Sequence, residues 1–158
     1  AGRSLDALRS RKELVGAPWQ FSMLALGLAQ TGQPQAGLDA GEEGLALSAE
    51  LGDIPNQVLL QLARAEILLM FSRNNTAAAG QRLQEAEESL LGALELARTI
   101  GHKLGALRAA IDLYRLWHGQ EKAAVGIELL REIYASYDQG FDTFFMREAA
   151  ELLAAQPA

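Results

Sequence analysis

Residues 32–47, GQPQAGLDAGEEGLAL, decide the fold. Alanine, leucine, glutamate and glutamine favour a helix, and Pro34 stands where a first helical turn tolerates proline. Yet glycine occupies positions 37, 41 and 44. Each interior glycine costs about 1 kcal/mol of helix stability relative to alanine. A helix that carries three must recover the loss elsewhere. Close approach of a second helix does this, because a missing Cβ lets two backbones come together. The stretch therefore predicts tightly packed helix pairs.

The rest of the chain agrees. Val, Ile and Thr are sparse, and no stretch alternates apolar and polar residues as a half-buried strand would. Gly, Pro and Asn punctuation falls at Gly16-Ala17-Pro18, Thr31 to Pro34, Gly52 to Pro55, Ser72 to Gly80, Thr99 to His102, His118 to Gln120 and Gln139 to Asp142. It divides the 158 residues into about eight helices, 3–15, 18–30, 34–50, 55–72, 82–100, 103–118, 121–138 and 143–155. Pro18 and Pro55 also sit at first-turn positions, and Asp53 is placed to cap the helix that begins near Pro55.

Alternating helices invite a search for repeats. Aligned on Gly37, Ala86 and Gly126, the offsets 4, 7, 8 and 11 select one helical face each time. They are Gly41, Gly44, Leu45 and Ser48; Leu90, Ala93, Leu94 and Ala97; and Leu130, Ile133, Tyr134 and Tyr137. Twelve residues before the outer anchors stand Ala25 and Tyr114; Ala65 precedes the middle one, with a nine-residue insertion between.

Small residues at these spacings, with AQTGQPQAGLDAGEEGLAL joining two helices, resemble the tetratricopeptide repeat. That resemblance implies an all-α, right-handed superhelical solenoid of one domain over 1–158. Its pairs are 18–50, 55–100 and 103–138, with 3–15 as the second helix of a truncated repeat and 143–155 as a cap. The anchors lie 49 and 40 residues apart, against about 34 in the family. Gly41 stands where the family carries a larger apolar residue, Tyr114 where it prefers a small one, and Arg64 is charged where Leu24 and Leu113 are apolar.

Residues 82–155 resemble more narrowly the C-terminal end of large bacterial signalling proteins. There an ATP-binding module precedes such repeats, often behind a nucleotide cyclase or DNA-binding regulator domain. The landmarks are Leu107 to Ala110, Arg115-Leu116-Trp117, Glu128-Leu129-Leu130, Ile133-Tyr134 and Gly140 to Thr143. This implies a regulatory piece of a longer cytoplasmic protein.

Catalytic chemistry finds little support. There is no cysteine, no phosphate-binding G-x-x-x-x-G-K-[ST] run and no G-x-S-x-G elbow. His102 and His118 lack an H-E-x-x-H setting. They read as a helix-start and a helix-end residue. Carboxylates such as Glu42-Glu43, Glu87-Glu88 and Glu148-Glu151 read as solvated outer faces. No cofactor is implied. A net charge of −6, with 14 basic residues scattered, argues against nucleic acid, and no apolar run is long enough for a membrane.

Binding is the expected function. Stepping from Ala25, Ala65 and Tyr114 places Ser22, Leu26, Leu62, Glu66, Ile111 and Arg115 on an inner wall, flanked by Trp19, Met23, Leu69, Arg108, Asp112 and His118. Such a surface suits a peptide, a protein or another domain of the parent chain. A small-molecule-sensing role is the alternative. An exposed helix 3–15 would also allow a homodimer.

Overall fold

The computed structural model describes residues 17–74, 78–141 and 143–156. Among them are seven helices and no strand: α1 Ala17–Gln30, α2 Pro34–Leu51, α3 Ile54–Asn74, α4 Ala79–Ile100, α5 Lys103–His118, α6 Ala123–Ala135 and α7 Phe144–Ala154. Each matches one of the expected helices. The eighth, 3–15, and with it the homodimer surface, lies outside the described residues, as does Asp142 of the Gly140–Thr143 motif.

Punctuation acts where the sequence places it. Gly52 and Gly101 end α2 and α4 in the left-handed region, at φ 66° and 69°, which only glycine adopts without strain. The Asp53 carboxylate accepts the Asn56 amide N–H at 3.3 Å. His102 Nδ1 accepts the Gly105 N–H at 2.8 Å and so caps α5. The motif at 140 corrects one expectation. Gly140 does not terminate a helix, because α6 already stops at Ala135 with Ser136 as its cap. Instead it turns the chain at φ 78°, and the Thr143 hydroxyl donates back to its carbonyl at 2.8 Å rather than capping α7.

The helices pack in a repeating order. Each touches its successor, and α1, α3, α5 and α7 also touch one another in sequence. The small anchors lie in the seams. A Cβ on Gly37 would come within 2.6 Å of the Ala25 carbonyl oxygen, and one on Gly44 within 2.6 Å of Phe21 Cβ and 2.9 Å of Leu60. One on Gly126 would stand 3.2 Å from Tyr114 Cα, and Ala86 is fully buried. Gly41 differs, since a Cβ there meets only Ala25 Cβ at 3.9 Å. A larger residue has room for its first carbon.

The two other departures from the repeat pattern have physical accounts. Arg64 reaches from α3 to α4 and donates to the buried Ser89 hydroxyl, so its charge has a partner. Tyr114 accommodates its bulk because Gly126 yields the space, and its hydroxyl accepts a hydrogen bond from Gln156 beyond α7.

The core divides around α3. One cluster gathers Phe21, Ala25, Leu38, Leu60, Ile67, Leu68 and Ala86 from α1 to α4. The other joins Val58, Leu62 and Ala65 to α4, α5, α6 and the α7 residues Met146 and Ala149. Thus α3 buries two stripes, 58/62/65 and 60/67/68, on different faces. For this reason Leu62, expected on a wall, is turned into the core at 3 % exposure.

Candidate binding site

The inner stripes of α3 and α5 repeat with helical spacing. Glu66, Leu69, Met70 and Arg73 follow i, i+3, i+4 and i+7 along α3. Arg108, Ile111, Asp112, Arg115 and Leu116 do the same along α5. Neighbouring helices bring the stripes together, and the start of α7 completes the enclosure with Phe144, Phe145 and Glu148. Leu83 of α4 and the turn residues Gly119 and Gln120 border it too. The result is a cavity of about 760 Å³.

Six of the twelve expected residues meet here: Glu66, Leu69, Arg108, Ile111, Asp112 and Arg115. Ile111 contributes little surface, being 2 % exposed. His118 lies at a neighbouring recess with Tyr114, Leu152 and Gln156, its ring 5.5 Å from that of Tyr114. The α1 residues are not brought to the cavity. Trp19 and Met23 are exposed and Leu26 is half-buried. Ser22 is buried, its hydroxyl donating to the Trp19 carbonyl at 2.7 Å, and so leaves the wall together with Leu62.

Charges around the cavity are arranged unequally. Arg115 forms an ion pair with Glu148 across α5 and α7. This corrects the expectation that Glu148 faces solvent: it turns inward to the guanidinium. Arg108 lies over the Phe145 ring, 5.2 Å from its centroid, a favourable cation–π distance. Asp112 sits half-buried between these two arginines. Burial pushes its carboxyl up to about 6, against the pull of Arg115 and Arg108, while Glu66 and Glu148 add repulsion. Neither Asp112 nor Glu66 has a hydrogen-bond or ion-pair partner among the described residues.

Sequence reasoning missed Met70, Arg73 and Leu116 on the same stripes and, on α7, Phe144, Phe145 and Glu148. The adjacent aromatic pair opening the last helix was the available signal, since a cap needs only one apolar face. Phe144 remains 67 % exposed, set edge-on to Phe145 with ring centroids 5.1 Å apart.

A second polar cluster fastens the C-terminal end of α5. Glu87 of α4 accepts from the Trp117 indole N–H and from Lys122 at 3.1 Å. Burial pushes its carboxyl up, but these two donors outweigh burial and hold it below the usual value. The cluster reads as a tether of α4, α5 and the start of α6.

Among the described residues no group of three or more His, Asp or Glu side chains is placed to hold a metal, and no helix is long and apolar enough to cross a membrane. No family model, curated protein or solved structure matches the chain.

Proposed function

We propose that the domain is a non-catalytic interaction module of the tetratricopeptide type, whose inner wall holds a peptide or protein partner or another domain of its parent. In the parent, a multidomain cytoplasmic signalling or transcription-regulating ATPase, occupancy of the wall biases an upstream activity. The cavity between α3, α5 and α7 carries this reading. It joins an apolar floor to uncompensated charge, as sites for peptide side chains do. Paired helices with small-residue seams and contacts between alternate helices support the solenoid architecture.

Selection of displayed peptides or partner proteins against the intact chain tests it. Binding should saturate and should weaken when Leu69 or Phe144 is replaced by a charged residue. Saturable binding that ignores both changes moves the site elsewhere, and no binder at all removes the reading.

The cavity volume also lies in the range that drug-sized ligands occupy. That supports a second reading, a sensor of small molecules. A metabolite screen by thermal shift separates the two, because a ligand at about 100 times its Kd adds roughly 2.7 kcal/mol to stability.

A further inference from the structure

We propose that the α3/α5/α7 cavity receives a lysine or arginine side chain of a peptide segment, seated against Asp112 and Glu66, with an apolar neighbour of that residue resting on Phe144. The inference depends on the interaction-module reading and specifies the chemistry of the partner.

Six charged side chains border the cavity, three acidic and three basic: Glu66, Asp112 and Glu148, with Arg73, Arg108 and Arg115. Arg115 and Glu148 neutralise each other. Arg108 lies over the Phe145 ring. Arg73 lies exposed in the last turn of α3. The carboxylates of Asp112 and Glu66 remain without partners among the described residues.

The half-buried Asp112 carboxylate is partly withdrawn from water and costly to leave unpaired, and an arriving cation removes that cost, with the exposed Glu66 at hand as a second acceptor. An arriving anion finds Arg115 already engaged by Glu148 and Arg108 already laid over Phe145, which leaves only the exposed Arg73 at the cavity edge to receive it. The charge of the chain, −6, draws cations toward it at longer range. The elevated carboxyl of Asp112 reports its burial, which outweighs the pull of Arg115 and Arg108.

The apolar half of the site follows from Phe144. Two-thirds of it faces solvent, although it opens a helix that buries Met146 and Ala149. Its ring borders the cavity and stands edge-on to Phe145. The cavity is larger than a single ammonium or guanidinium fills. A basic residue flanked by an aromatic or aliphatic one uses both halves; a free polyamine would leave the aromatic wall in water.

Short random peptides displayed on phage are selected against the intact chain and, in parallel, against its Asp112→Asn variant. The wild type should enrich peptides with Lys or Arg beside an aromatic or aliphatic residue. A synthetic copy of an enriched peptide should bind the Asp112→Asn and Glu66→Gln variants at least about tenfold more weakly, with an equal loss when its basic residue is exchanged for an uncharged one. Circular dichroism melts guard against misfolding. Asparagine matches aspartate in shape, and Glu66 is exposed, so both variants should melt no lower than the wild type. Enrichment of acidic or uncharged peptides, or binding indifferent to both substitutions, overturns the inference and leaves the interaction module standing. Absence of any enriched peptide overturns both.

Discussion

At the scale of single residues, three glycines on one helix have different reasons to be there. Gly37 and Gly44 face atoms that cannot retreat: a backbone carbonyl in one case, and Phe21 Cβ with Leu60 in the other. Replacing Gly44 by alanine should cost about 1–3 kcal/mol through overpacking, read from the urea midpoint. Gly41→Ala should instead stabilise by about 0.5–1 kcal/mol, because its Cβ finds ordinary contact while helix propensity improves. Equal effects at the two positions would remove the seam account. Asp112 makes a third residue-scale prediction. Its folded-state carboxyl near 6 lies above the ordinary 3.8. The folded chain therefore holds a proton more tightly, and stability falls as pH rises between those values. Asp112→Asn removes this liability and should raise stability near pH 7 by roughly 1–3 kcal/mol. The advantage should vanish below about pH 4. A loss at pH 7 would mean that the ionised carboxylate is compensated.

At the scale of elements, α3 and α7 behave in opposite ways. Packed by α1, α2, α4 and α5, α3 has little free surface, which is why stepping along a wall from Ala65 led to the core residue Leu62. The stripe it lends to the cavity begins at the exposed Glu66. The last helix is held by fewer groups: buried Met146 and Ala149, the Arg115–Glu148 pair and Phe145 under Arg108. Met146→Ala should remove about 2–4 kcal/mol. Hydrogen exchange should accelerate first across Phe144–Ala154, ahead of α3 and α4. Uniform acceleration through all helices would show that α7 unfolds only with the whole. The Glu87–Trp117–Lys122 tether ties α4 to α5 and α6, and its depressed carboxyl strengthens the fold above the ordinary carboxylate range. That contribution is lost as pH falls through the lowered value.

At the scale of the molecule, alternate helices stack and the last one covers the end of the second core cluster. Deleting residues from Phe144 onward should bare the α5–α6 edge and drive self-association, visible by light scattering. A monomeric product would show that α7 is dispensable as a cover. Helix positions were legible in the amino-acid order because proline, glycine and small-residue spacing act locally, through φ preferences and through the Cβ that two backbones can tolerate. All seven described helices and the seams at Gly37, Ala86 and Gly126 follow from those rules. The cavity is a different matter. Glu66 and Asp112 share helical stripes that can be read in one dimension, but their convergence depends on how α3 and α5 lie side by side. The inward turn of Glu148 and the placement of Phe144 depend on the rotation of α7. Such rotations are set by the sum of many weak packing contacts between distant segments, so only the tertiary structure decided which side chains meet around the cavity.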